Sequence, residues 1–293
     1  MTQCPAYAEL VAATNYSFLR GASHPADMVL QAAALGLSAI GIADRNSVAG
    51  VVRAWVAVKK AKAENALPEG FRLVTGSRLV FADGTPDIVA YPKNRKGWGR
   101  LTRLLTVGNM RSNKGGCILR FDDLAGYLED LLLIILPQST AEETNPHKKP
   151  VAYNHADGDE KLRLVETTPT CLDDILRRLK KLAPDRVWLG ICMHGRGKDM
   201  RRLEEQRARA KQCDVPILAV NDALYADMAA RPLHDVLTAI RLGVSVDQAG
   251  TQLEANAERY LRPRVRIASI YPPDLTAATL KVAARCTFDL RQI

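Results

Sequence analysis

Short apolar segments alternate with helical segments along most of this chain, and this alternation most constrains its fold. Residues 38–43 and 131–136 have the length and composition of strands covered on both faces. Between such segments, apolar residues recur at helical spacing, as in 25–35, where Pro25 suits a first turn and Gly36 a left-handed exit. The alternation predicts an α/β fold with a largely parallel sheet, open or closed into a barrel.

The same patterns place the individual elements. We predict strands at 8–14, 38–43, 71–81, 87–91, 131–136, 187–193 and 216–220. We predict helices at 25–35, 48–63, 98–107, 172–182, 200–213, 233–240 and 275–285. The apolar side of the second helix is expected to carry Val51, Val52, Trp55 and Val58. Residues 138–170 are polar and contain three prolines, which predicts an insertion or a long loop.

Composition and charge narrow the class of protein. The net charge of +9, from 41 Lys and Arg against 32 Asp and Glu, leaves contact with DNA open, although most basic residues fall on helices where a solvated face is the simpler interpretation. No apolar run approaches the roughly 18 to 20 residues that span a bilayer, and the first residues lack a secretory signal. The six cysteines are scattered, which predicts that most are buried thiols and that they form neither disulfides nor a zinc site. We therefore predict a cytoplasmic protein with no membrane partner.

Polar residues follow three of the predicted strands: Asp44, His194, and Asn221 with Asp222. The carboxyl ends of parallel strands share one rim in α/β folds, so these side chains are candidates for a common site. Asp44, His194 and Asp222 are three conceivable metal ligands, few for a hydrolytic centre that must also hold an activated water.

Other chemistries find less support in the sequence. Residues 195–198 lack the spacing of a phosphate-binding loop, no nucleophile elbow occurs, and no paired acids at a strand end suggest a polymerase centre. The remaining histidines have simpler roles: His24 at a helix start, His234 packed within a helix, and His147 and His155 in the polar insertion, where Asp157 and Asp159 also lie.

Several segments carry a resemblance that composition does not. They are 8–10, 15–25, 32–37, 42–54, 98–106, 219–225, 231–241, 253–261 and 283–290. Together they resemble the amino-terminal PHP (polymerase and histidinol phosphatase) domain of bacterial C-family DNA polymerases, in particular the error-prone, damage-induced version. The resemblance covers nearly the whole chain outside 138–170.

The resemblance implies a distorted (β/α)7 barrel of PHP type. On this basis we expect the barrel to occupy residues 1–270 and residues 271–293 to form a helical lead-in to a polymerase body. The implied partner is the remainder of the polymerase, in cis or as a separate chain. Active members of the family bind up to three metal ions at a rim of His and acidic residues.

This sequence departs from that rim at most positions. Val11 and Ala13 stand where the family has His-x-His, and Leu224 stands where the family has the His of Asp-x-His. Arg45 replaces a His after Asp44, and Arg78 replaces a carboxylate. The vestigial rim is therefore expected to comprise Asp44, Arg45, Arg78, His194, Asn221 and Asp222.

Arginines at cation sites would oppose bound dications and form ion pairs with the remaining acids, Asp44 or Asp222. We therefore expect no catalytic residue, no metal and no other cofactor. The leading hypothesis is a catalytically silent structural domain of a polymerase for DNA repair by translesion synthesis. One alternative is a stand-alone metal-dependent phosphoesterase or exonuclease with a reduced metal site. A truncated or split polymerase gene is another.

Overall fold

A seven-stranded sheet forms the centre of the computed structural model, which describes residues 4–137 and 171–293. The strands lie side by side in sequence order. They are β1 (Ala8–Ala12), β2 (Ala39–Arg45), β3 (Arg72–Leu79), β4 (Ile88–Pro92), β5 (Leu131–Ile135), β6 (Val187–Cys192) and β7 (Ile217–Val220). Neighbouring strands pair in parallel except β4, which is antiparallel to β3 and β5.

Ten α-helices connect or flank these strands within the described ranges. They are α1 (Pro25–Ala34), α2 (Ala49–Ala63), α3 (Arg95–Met110), α4 (Phe121–Ala125), α5 (Leu172–Leu182), α6 (Asp199–Gln212), α7 (Arg231–Leu242), α8 (Val246–Ala249), α9 (Arg264–Ile270) and α10 (Pro273–Arg285). None of these helices is long and apolar enough to cross a membrane. The predicted insertion at 138–170 lies outside the described residues.

Hydrogen bonds between the end of β1 and the residues that follow β7 close the sheet into a barrel. The amide of Ala13 donates to the carbonyl of Ala223 at 2.9 Å, and the amide of Ala223 donates to the carbonyl of Val11 at 3.0 Å. Helices alternate with the strands around the outside. The predicted α/β barrel of seven strands is thereby confirmed, with one antiparallel strand where the short 83–86 turn joins β3 to β4.

Apolar side chains fill the inside of the barrel. Tyr91 on β4 is fully buried there, and its hydroxyl donates to the carbonyl of Leu10 across the interior. Room for its ring depends on two glycines, because a Cβ at Gly41 would lie 2.3 Å from the Tyr91 hydroxyl and one at Gly76 would lie 2.5 Å from the ring. These glycines explain how a large aromatic fits inside a narrow barrel.

Helix α10 closes the floor of the barrel, at the amino-terminal ends of the parallel strands. Its Val282 and Ala283 belong to the same buried cluster as the barrel interior. The amide of Ala8, at the start of β1, donates to Thr279 Oγ1 at 3.2 Å. Beyond the helix, Phe288 stacks on Trp98 with ring centroids 4.8 Å apart. The proposed division between a barrel at 1–270 and a lead-in at 271–293 stays a prediction.

Helix α2 differs from its prediction in one respect. Val52 was expected on the apolar side, but its side chain is 56% exposed, while Ala54 and Ala61 are buried with Val51 and Val58. The alternating three- and four-residue spacing of Val51, Ala54, Val58 and Ala61 sets the buried stripe, and Val52 falls outside it.

Candidate functional site

The opposite end of the barrel, its mouth, is lined by charged and polar side chains. Within the described residues, the mouth comprises Arg78, Asp87, Cys192, His194, Asp222, Glu254 and Arg259. Four of these residues, Arg78, Cys192, His194 and Asp222, lie at or just beyond the carboxyl ends of parallel strands, where α/β barrels carry their sites. Asp87 precedes β4, which runs in the reverse direction and so begins at this end.

Asp222 lies at the centre of the mouth and forms ion pairs with two arginines. Its Oδ1 accepts from Arg78 Nη1 at 2.9 Å, and its Oδ2 lies 2.8 Å from Arg259 Nη2. Burial alone would raise the pKa of Asp222, but the guanidinium groups of Arg259 and Arg78 outweigh burial and lower the pKa from 3.8 to about 2. Asp222 is therefore an ionised carboxylate with both oxygens engaged by cations.

Arg78 connects Asp222 to the far side of the mouth. Its Nε donates to Asp87 Oδ2 at 2.7 Å while its Nη1 binds Asp222. Burial would lower the pKa of Arg78, but Asp222 and Asp87 raise it instead. Arg45 is the register partner of Arg78 on the adjacent strand β2, and its amide donates to Ser17 Oγ at 3.0 Å.

Arg259 and Glu254 extend this network, and neither was predicted from the sequence. Arg259 Nε donates to the Asp222 carbonyl at 2.7 Å, and its Nη1 lies 3.0 Å from Glu254 Oε1. Glu254 also accepts from Arg196. Both residues lie in 253–261, a segment without helix or strand. This segment is one of those that resemble the PHP family. The family resemblance of that segment was the available signal, but it gave the two side chains no role.

His194 and Cys192 flank Asp222 on strand β6 and just beyond it. His194 Nε2 lies 3.0 Å from the Asn221 carbonyl, which can only accept, so this nitrogen carries the proton. Burial and then Arg259 lower the pKa of His194 to about 3, which leaves the imidazole neutral. Burial, with the nearby Asp222 charge, raises the pKa of the Cys192 thiol to about 12.

Cys192, His194 and Asp222 form the cluster of potential metal ligands among the described residues, with one ligand atom of each within 4.8 Å of the others. This donor set does not fit a divalent cation. Both Asp222 oxygens are bound to guanidinium groups, and the thiol of Cys192 would have to lose a tightly held proton. A dication would also sit beside two arginines, whose charge repels it.

The backbone amide of Asn221 donates a hydrogen bond to a buried carboxylate, that of Glu9. Glu9 is fully buried, and its Oε2 accepts from the backbone amide of Asn221 at 3.0 Å and from the Tyr7 hydroxyl at 2.6 Å. Burial raises the pKa of Glu9 to about 7, although these donors and the Val11 amide favour its ionised form. Asn221 thus helps to fix the strand end that carries Asp222.

Asp44 occupies a different environment from the mouth. Residues alternate along β2, so that Ala43 packs in the barrel interior while Ile42 packs between strands and helices, and Asp44 shares the outer side with Ile42. Its carboxylate accepts from the Thr14 amide at 2.7 Å, the Thr14 hydroxyl at 2.8 Å and the Ser17 hydroxyl at 2.7 Å. Neutral donors at Thr14 and Ser17 hold Asp44 on this outer side of the barrel, whereas arginines hold Asp222, so the structure does not bring the two aspartates together.

The three positions at which the resemblance implied lost histidines lie among apolar neighbours. Val11 is 1% exposed and belongs to the barrel-interior cluster. Ala13 and Leu224 pack together with Tyr225 in a small buried cluster. These side chains contribute no ligand atom to the mouth.

The other histidines lie elsewhere. His24 is exposed at the start of α1, and His234 is buried in α7, while His147 and His155 fall outside the described residues, as do Asp157 and Asp159. Burial lowers the pKa of His234 to about 4.

Comparison with known proteins identifies a matching family and similar proteins. The family model described as "PHP domain" matches residues 9–191. An "Error-prone DNA polymerase" of Rhodopseudomonas palustris (strain BisB5) is 41% identical over 291 residues, covering 99% of this chain and 24% of the relative. An "Error-prone DNA polymerase 1" of Rhizobium meliloti (strain 1021) is 43% identical over 290 residues, covering 98% of this chain and 23% of the relative. The chain thus spans about a quarter of the length of these curated relatives.

Among solved structures, an amidohydrolase from Chromobacterium violaceum matches with a TM-score of 0.42. The match has 12% sequence identity and covers 73% of this chain and 86% of the other.

Proposed function

Because the chain belongs to the PHP domain family, we propose that it is a catalytically silent PHP domain that supports an error-prone DNA polymerase. The ion-paired mouth carries this proposal. Asp222 has both oxygens on guanidinium groups, so the carboxylate is neutralised without a metal. The apolar replacements at Val11, Ala13 and Leu224 agree with it, because they offer no ligand to a cation.

The remaining parts of the proposal rest on the relatives. Both relatives named above are error-prone DNA polymerases about four times as long as the matched region, so the partner is the rest of such a polymerase, in cis or as a separate chain. We propose that residues 271–293 lead into that body, and that the whole acts in the cytoplasm during translesion synthesis after DNA damage. The net charge of +9 adds a basic surface for DNA.

The proposal is tested by measuring metal content and hydrolysis together. The purified chain should hold no stoichiometric Zn or Mn by elemental analysis and should not hydrolyse a phosphomonoester or the 3′ end of a primed DNA. Asp222→Ala serves as the matched variant. Stoichiometric metal with hydrolysis, both lost in Asp222→Ala, would overturn the silent domain.

That overturning result would favour the second candidate, a stand-alone metal-dependent phosphoesterase or exonuclease. Its support is the grouping of Cys192, His194 and Asp222 within 4.8 Å. DNA contact is tested separately by the salt dependence of binding to primed DNA, which should weaken steeply as salt rises. No binding at low salt would remove DNA from the proposal.

A further inference from the structure

Helix α7 carries aliphatic side chains on its outward face and polar side chains on its inward face. Leu233, Val236 and Ile240 are 51%, 43% and 58% exposed. The buried residues of the helix are His234, Thr238 and Ala239, of which the first two are polar and lie on the opposite face. At 100° per residue, the three aliphatic side chains fall within one narrow sector of the helix, which we call the α7 stripe. The stripe reverses the pattern expected of a surface helix in an isolated domain.

The charged residues of α7 lie outside this stripe, because they bind one another or other parts of the domain. Arg231 Nε lies 2.7 Å from Asp235 Oδ1, and Arg231 also donates to the Glu254 carbonyl. At the other end of the helix, Arg241 Nε donates to the Leu19 carbonyl at 3.3 Å. The polar groups thus fix α7 beside the mouth and leave its outward face aliphatic.

The inward face of α7 adds a second observation. The Nδ1 of His234 and the hydroxyl of Thr238 are buried without a hydrogen-bond partner among the described residues. Turning the helix to bury the aliphatic stripe would bring these groups into water, yet the fold keeps them inside. The stripe is therefore held outward at a cost to the isolated domain, which a covering surface would offset.

We propose that the α7 stripe docks on the polymerase body, meaning the three quarters of the longer relatives that have no counterpart in this chain. This inference rests on the proposed support of a polymerase. The length of the relatives argues for this occupant, because a body three times the size of the domain supplies the apolar surface that the stripe requires. The stripe lies beside the mouth, away from the floor that α10 already covers.

A chimera tests the docking. The matching segment of the Rhodopseudomonas palustris (strain BisB5) polymerase is replaced by this chain, and side chains are labelled by hydroxyl-radical footprinting. Labelling of Leu233, Val236 and Ile240 should fall several-fold relative to the isolated chain. Val52 and Val56 on α2, which are 56% and 51% exposed, serve as the internal reference and should label equally in both. Equal labelling of the α7 stripe in a chimera that extends primers would overturn the proposal.

Paired variants give an independent readout. Val236→Gln with Ile240→Gln should shorten the thermal half-life of primer extension by the chimera several-fold, while the equally spaced pair Val52→Gln with Val56→Gln should not. Neither pair should lower the melting temperature of the isolated chain, because all four side chains face solvent there. If light scattering instead shows an isolated dimer that only the α7 pair abolishes, the stripe belongs to a second copy and the proposal fails.

Failure of the inference is distinguishable from failure of the proposed function. A polymerase that loses the whole segment and extends primers as well as the chimera would refute the supporting role itself. A chimera that needs the segment, but is indifferent to the α7 pair, would refute only the docking surface.

Discussion

Asp44 and Asp222 are both buried aspartates at strand ends of one barrel, yet they are held in opposite ways. Asp44 accepts hydrogen bonds from the amide and hydroxyl of Thr14 and from Ser17, and burial raises its pKa. Asp222 is bound by the guanidinium groups of Arg78 and Arg259, and its pKa falls to about 2. Neutral donors support a local turn, whereas charged donors connect distant parts of the chain.

The comparison shows that the charges of the mouth are balanced by ion pairs centred on Asp222. The Arg78–Asp222 pair spans 144 residues and joins β3 to the end of β7 across the barrel. Such a pair balances the charge of Asp222 with side chains of this chain alone. Asp44, which faces away from the mouth, needs no such partner. The two aspartates should therefore respond very differently to substitution.

The largest effect is expected for Asp222→Asn. The substitution leaves two partly buried guanidinium groups without a full negative charge, and it should lower the free energy of unfolding by about 3 kcal/mol. Urea denaturation measures the loss. Asp87→Asn is the control, because Asp87 is the more exposed partner of Arg78 and its loss should cost less than about 1 kcal/mol. Equal costs would refute a central role for Asp222.

Gly50→Ala should damage the Asp44 side alone. A Cβ at Gly50 would lie 2.5 Å from Asp44 Oδ2 and 3.0 Å from Thr14 Oγ1, so the hydrogen-bonded turn must shift. We expect a loss of about 2 kcal/mol, measured by thermal and urea unfolding. Gly99→Ala in α3 is the matched control, since its Cβ would meet nothing within 4 Å and should stabilise the helix by up to about 1 kcal/mol. Stabilisation by both variants would contradict the packing around Asp44.

His194 should make the Asp222 side sensitive to acid. Its folded pKa of about 3 lies below the unfolded value of 6.5, so only the unfolded state takes up the proton between these values. Stability should therefore rise with pH up to about 6.5, and His194 should account for about 1.4 kcal/mol between pH 5.5 and 7.5. Unfolding measured across this range should show a shallower slope in His194→Gln. An unchanged slope would mean that the imidazole takes up its proton equally in the folded and unfolded states, against the neutral His194 of the mouth.

The smallest effect is expected for Asp44→Asn. The amide keeps one oxygen for the Thr14 amide and Ser17 hydroxyl, and its nitrogen can donate to a reoriented Thr14 hydroxyl. The cost should be about 1 kcal/mol by urea denaturation. A loss as large as that of Asp222→Asn would erase the distinction between the two aspartates.

Much of the fold was predictable because burial leaves a regular pattern. Helix α5 was predicted over its exact range, and the apolar run at 131–136 gave β5 within one residue. The antiparallel direction of β4 was also predictable, since a turn of four residues at 83–86 is too short for a parallel crossover. Val52 was misplaced because an apolar side chain on a helix need not face the core.

The site was less predictable, because strand ends place neighbouring residues on opposite faces. Asp44 and Arg45 are adjacent in sequence, but the period of two along β2 separates their side chains, and only Asp44 faces outward with Ile42. Arg259 and Glu254 lie in an irregular segment, where no periodicity assigns a direction to a side chain. Their roles follow from long-range contacts that the sequence does not encode locally.

Because helix α10 is among the last parts of the domain to be synthesised, the barrel cannot be completed early in translation. The floor is sealed by residues 273–285, which come after all seven described strands, and the pairing of Ala13 with Ala223 also waits for late sequence. Translation delivers the strands first, so the apolar interior around Tyr91 stays open to water until α10 has emerged from the ribosome. The nascent domain therefore passes through a window in which binding by a chaperone, or premature docking of other segments, competes with completion of the barrel.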